Sequence, residues 1–158
     1  MKIVRSVLIG ILSFWTAFAY AGDVAAVNDK GVFNKAAIKG YDPVAYWTQG
    51  EPVKGDKKIS YEWRGATWQF SSQEHLELFK SEPEKYAPKY GGYCAWAMAD
   101  GDGKAVNISP DAWHIHDGGL YLNYNLAVRD EWLQTRDKDI VTANKNYPSL
   151  TDVENYKQ

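Results

Sequence analysis

Thiols are the scarcest chemistry in this chain: its 158 residues hold one cysteine, Cys94, with two methionines and three histidines. A single cysteine excludes an intramolecular disulfide, and without a C-x-x-C pair it excludes a self-contained dithiol cycle. Neither a phosphate-cradling glycine loop nor a Ser/His/Asp signature is present. Excess positive charge is missing too, since 18 Lys and Arg face 20 Asp and Glu for a net charge of -2. With no basic stripe, nucleic acid is not expected as a partner. The acidic turn Asp100-Gly101-Asp102-Gly103 lacks the bidentate Glu that closes a calcium loop.

What is present begins with a leader pattern. Lys2 and Arg5 precede an apolar run from Val7 to Phe18, and Ala19-Tyr20-Ala21 offers small residues where a signal peptidase reads. The run is shorter than the ~20 residues a membrane-spanning helix needs. The expectation is a secretory signal peptide over 1–21, cleaved after Ala21, giving a periplasmic or secreted protein with no membrane anchor. In an oxidising compartment cysteines ordinarily pair as disulfides. An unpaired Cys94 there implies an intermolecular partner, a reactive thiol, a metal ligand or a buried small residue.

Aromatics make up 15% of the chain, and most fall on core-facing spacings. A lead-in over 22–37 shows little periodicity. Asp42-Pro43 reads as a helix start, with Asp as cap and Pro in the first turn. Ile59, Tyr61 and Trp63, then Ala66, Trp68 and Phe70, alternate on either side of Arg64-Gly65, which predicts an antiparallel hairpin. Ser71-Ser72-Gln73-Glu74 predicts a helix capped by Ser71, with Leu76 and Phe79 on its inner face. A short second helix carries Tyr86 and stops near Pro88. Val106 and Ile108 predict a strand. Trp113 and Ile115 alternate with His114 and His116 ahead of Asp117-Gly118-Gly119, a second hairpin. Asn125 caps a long helix that Pro148 is expected to end, with a disordered tail over 149–158. These elements make an α+β domain over 38–148, a small antiparallel sheet of hairpins packed with short helices.

Few residues are candidates for chemistry. His114 and His116 share one face of a strand, because side chains repeat every second residue. They would share a metal with Cys94 as a soft third ligand, or simply point to solvent. His75 is expected to be a partly exposed helical residue. Cys94 follows Gly91-Gly92, whose freedom lets another group approach the backbone there. It is either a reactive thiol or a buried small hydrophobe.

Gly40-Tyr41-Asp42-Pro43-Val44-Ala45-Tyr46, Trp68-Gln69-Phe70-Ser71-Ser72, Phe79 with Pro83 and Tyr86, Tyr90-Gly91-Gly92-Tyr93-Cys94-Ala95 and Gly119-Leu120-Tyr121-Leu122-Asn123-Tyr124-Asn125 together resemble the exported bacterial YHS-domain-containing (seleno)protein family. The resemblance runs from about Ile38 to Pro148 and implies a small α+β YHS-like domain. Other YHS domains occur beside copper-transporting ATPases and use a cysteine pair at the hairpin-to-helix junction, where this chain has Ser71 and His75. Selenoproteins in the exported subgroup imply redox or soft-metal chemistry at Cys94. The function so expected is handling of a soft, copper-like metal or of a thiol redox partner through Cys94, with His114 and His116 as accessory metal ligands. The partner would be a periplasmic thiol or metal-handling protein. Binding rather than turnover is expected, because no acid–base pair stands beside Cys94. A non-catalytic module for a small molecule, glycan or protein, with Cys94 structural, is the alternative from another class. A thiol peroxidase-like enzyme with an external reductant is the third.

Overall fold

A computed structural model describes residues 22, 24–30 and 35–156, so the leader expected over 1–21 lies outside the described residues. Two antiparallel hairpins organise the fold. β1 (Asp56–Trp63) pairs with β2 (Ala66–Phe70), and β3 (Ser109–His116) pairs with β4 (Gly119–Asn123). Both turns have two left-handed residues, Arg64-Gly65 and Asp117-Gly118, the conformation whose twist matches the flanking strands. The registers Tyr61↔Trp68 and Ile115↔Leu120 place the alternating apolar residues face to face, as their spacing predicts.

Short helices join the hairpins. They are α1 (Ala45–Thr48), α2 (Gln73–Ser81), α3 (Pro83–Tyr86) and α4 (Ala95–Ala99), followed by the long α5 (Leu126–Leu150). The α+β class is thus as expected. Its core divides around β4, which is buried along its whole length. Leu120 and Leu122 join Trp68, Phe70, Phe79 and Cys94 in one cluster. Tyr121, between them in sequence, points the other way and joins Trp132 and Ala143 of α5, as the period-two alternation of a strand requires.

Several boundaries differ from expectation. Val106 and Ile108 precede the strand rather than form it, although Val106 still accepts a hydrogen bond from the Cys94 N–H at 3.0 Å. α5 runs through Pro148 to Leu150, its last turn held by the Thr151 N–H and hydroxyl donating to the Tyr147 carbonyl at 3.1 and 2.7 Å. The segment expected as a disordered tail instead forms a 3-10 turn, Asp152–Tyr156, with Val153 buried. The lead-in is also part of the body. Ala26 and Val27 are buried, Val24 bridges Thr151, and the Tyr147 hydroxyl donates to the Ala26 carbonyl at 2.6 Å. The packed unit therefore extends beyond 38–148 at both ends. Among the described residues no helix is long and apolar enough to cross a membrane.

The Gly91-Gly92 pair serves this packing. Both residues are left-handed. A Cβ on Gly91 would overlap the Ala26 carbonyl, and one on Gly92 would overlap the Ile38 side chain. The freedom expected there to admit another group is taken up by the chain's own strap. Replacing Gly91 by Ala is expected to cost about 3 kcal/mol in urea unfolding, the scale of strained, overpacked positions. A loss below about 0.5 kcal/mol, the range of an ordinary surface change, would show that the strap is loose.

Candidate functional site

Cys94 sits at the N-terminal end of α4 and bridges Leu122 of β4 in parallel fashion. Its residue surface is 1% exposed, yet it lines a cleft of about 190 Å³. The other walls come from Trp96, Ala97, Val106, Tyr124 and Val128, with Asp100 and Lys104 closing the lining. Trp96 and Tyr124 are 36% and 55% exposed, so two aromatic rings stand where the cleft meets solvent. The thiol donates to Asn123 Oδ1 at 3.6 Å, and the same oxygen accepts from the Trp96 N–H at 3.1 Å.

The electrostatics of the sulfur are divided. Burial pushes the thiol above its ordinary value, against the backbone N–H groups of Ala97, Tyr124 and Trp96, which favour a thiolate. Burial prevails, so the resting form at neutral pH is the thiol. An unassisted nucleophilic thiolate, as a peroxidase-type reaction needs, is not what this environment stabilises.

The two histidines lie elsewhere. His114 pairs with Tyr121 across the hairpin and shares its face, so it meets the Trp132 ring of α5 at 6.3 Å. His116 Nε2 lies 3.1 Å from Asp137 and 3.4 Å from Asp117. The imidazole rings stack with centroids 6.3 Å apart. Burial lowers the His114 pKa, with help from the charges of Arg136, His116 and Arg129. The expected three-ligand set of Cys94, His114 and His116 is not assembled: among the described residues no three His, Cys, Asp or Glu side chains are grouped to hold a metal ion. The reason is the strand period. Cys94 packs with Leu120 and Leu122, while the histidines share the Tyr121 face beneath α5.

A second polar centre was not anticipated. His75, expected to be partly exposed, is only 7% exposed, and its Nδ1 lies 2.6 Å from Asp42 Oδ2. The fully buried Asp42 carboxylate also accepts from the Ser71 N–H at 2.8 Å, the Ser71 hydroxyl at 2.6 Å and the Val44 N–H at 2.8 Å. His75 Nε2 meets the Thr48 hydroxyl at 3.1 Å. The helix cap is consequently Ser72, which accepts from the His75 N–H at 3.1 Å, and not Ser71. One sequence signal was there to be found: His75 and Phe79 stand four apart, on one helical stripe.

Comparison with known families finds a YHS domain over residues 44–90, a domain type often linked to metal handling, copper included. No curated protein and no solved structure matches the chain. The matched span holds Ser71 and His75 and ends before Cys94. With the Ser71 hydroxyl and the His75 imidazole both bonded to Asp42 at its hairpin-to-helix junction, this copy offers no soft donor there.

The Asp42 centre reads as structural. Asp42→Asn, which turns a carboxamide N–H₂ toward donors, is expected to cost about 3 kcal/mol, as for breaking a buried charged pair. Urea denaturation checks this, and a change within about 0.5 kcal/mol would remove Asp42 as the organising group.

Proposed function

We propose that this YHS-domain protein handles a soft metal ion, copper(I) by its chemistry, through Cys94. The observation that carries the reading is the placement of the only thiol on a solvent-connected, largely apolar cleft, where the nearby backbone N–H groups of Ala97, Tyr124 and Trp96 favour a thiolate against the effect of burial. Soft thiolates select copper(I) over harder ions. An apolar wall keeps water from competing, and the N–H groups take up the charge that forms when the metal displaces the thiol proton. The chain supplies one thiol, so the remaining coordination comes from whatever delivers or receives the ion. That suits a transfer protein better than a storage site. Export to the periplasm, expected from the leader pattern, would agree with this reading, since a metal ligand is one of the roles open to an unpaired thiol in an oxidising compartment.

The packing role is the second reading, and the 1% exposure of Cys94 with its raised pKa favours it. Under it the cleft would be a binding site for an apolar molecule, with the cysteine as part of its wall. One experiment separates the two. Copper(I) is titrated against a chromophoric chelator that does not itself titrate in the range used. The expected result is one ion per chain, abolished in Cys94→Ser. Binding displaces a thiol proton, so affinity should rise about tenfold per pH unit below the thiol pKa. Binding that survives Cys94→Ser, or no binding at all, overturns the metal reading. A thiol that reacts with iodoacetamide only after denaturation would then identify Cys94 as structural.

A further inference from the structure

The turn of the first hairpin carries a residue that its conformation does not favour. The second hairpin turns through Asp117-Gly118, a pair suited to two left-handed positions. The first turns through Arg64-Gly65, with Arg64 at φ 50°. A long side chain in that conformation costs stability that Asn, Asp or Gly would not. Arg64 therefore stands there for its side chain and not for its backbone.

The Arg64 guanidinium lies 4.4 Å from the centre of the Trp63 ring, and Arg64 forms one wall of a cavity of about 140 Å³. The other walls come from distant parts of the chain: Glu84 of α3, the stretch from Ala87 to Gly91, and Asn144 and Tyr147 of α5. The Arg64 side chain is 19% exposed, while that of its carboxylate partner, Glu84, is 71% exposed. A largely desolvated cation needs a compensating anion, and a carboxylate so far into water compensates it weakly. Among the described residues only Nη2 of the guanidinium donates a hydrogen bond, to Glu84. Lys89 adds a second positive charge to the lining. The Asn144 carboxamide turns its oxygen to the Tyr90 hydroxyl at 3.2 Å, which leaves its N–H₂ as a further donor. Burial raises the Tyr147 pKa and the Arg64 charge opposes that rise, so the field of the guanidinium reaches the opposite wall. The volume is below the roughly 300 Å³ at which pockets for drug-sized ligands begin, which restricts the occupant to something close to a single ionic group.

We propose that this cavity binds a small oxyanion, a phosphate or carboxylate group, held by the Arg64 guanidinium with Lys89 and the Asn144 amide as further donors and Glu84 as an internal competitor. The inference is independent of the Cys94 reading. A guanidinium offers paired N–H groups that match two oxygens of either anion. Glu84, the more exposed member of the existing pair, is the one displaced.

The test is a proton–nitrogen NMR titration of the mature chain with inorganic phosphate, beside sodium acetate and sodium chloride at matched ionic strength. Saturable shifts at Gly65, Lys89 and Asn144 are expected with phosphate, acetate or both, and the two arms separate phosphoryl from carboxylate recognition. Arg64→Asn is expected to weaken binding at least about tenfold, the strength of one charge-assisted hydrogen bond. Asn is favoured at that turn position, so the variant is expected to stay folded, as circular dichroism will show. Lys89→Gln changes an exposed residue and is the second variant, with a severalfold loss expected. Glu84→Gln removes the competitor and is expected to tighten binding roughly two- to fivefold, the strength of an exposed ion pair. Shifts that grow linearly without saturation, or that chloride reproduces, overturn the site. Unchanged affinity in folded Arg64→Asn overturns it as well. Binding that Glu84→Gln fails to tighten overturns the role of Glu84 as competitor.

Discussion

A carboxylate without access to water, Asp42, is the constraint on which the rest of the arrangement depends. Four donors converge on it from three places in the chain: the start of α1, the end of β2 and the first turn of α2. A carboxyl group so deeply buried is tolerated only when its hydrogen-bonding capacity is filled. That requirement fixes the corner at which the first hairpin becomes helix. From this corner α2 and α3 lead to the left-handed turn at Tyr90 and Gly91, where the backbone meets the N-terminal strap. Cys94 follows three residues later, against the edge of β4. The YHS-type junction thus acts here as a structural corner, and the chain's one thiol lies in the segment beyond it.

The surroundings of Cys94 express a compromise between storing a thiol and accepting a charge. Burial and the Asn123 carbonyl favour the protonated form, while the converging backbone N–H groups favour the thiolate. Such a sulfur resists stray oxidation at neutral pH, because the thiolate is the reactive species. The exposed rings of Trp96 and Tyr124 give incoming molecules a flat apolar surface at the same place.

Local pattern made much of the fold legible. The Tyr61 to Phe70 and Trp113 to Leu122 alternations reported both hairpins because each strand faces one core, and Asn125 marked the start of α5 by its capping chemistry. The contacts between distant segments were not legible. Asp42 and His75 are 33 residues apart, and neither residue alone shows that they meet. Asp42 was sensed as a cap, for its carboxylate does bind the Val44 N–H, but its larger role needs the tertiary fold. The burial of Ala26, Thr151 and Val153 likewise depends on one end of the described chain packing against the other. For the candidate site, the importance of Cys94 could be argued from its being alone. Its separation from His114 and His116 could not, because nothing local shows on which side of β4 each would lie. The contact of Asn123 with Cys94 is likewise a product of the tertiary fold, since an Asn near a strand end usually signals only a turn.

The central claim is that Cys94, and not the histidine pair, supplies the donor for a soft ion. X-ray absorption at the copper edge of the copper(I)-loaded mature protein tests it most directly. The account predicts a first shell made of sulfur alone, which becomes undetectable when Cys94 is replaced by Ser. A shell containing imidazole nitrogen that persists in Cys94→Ser and vanishes on loss of His114 and His116 would contradict it.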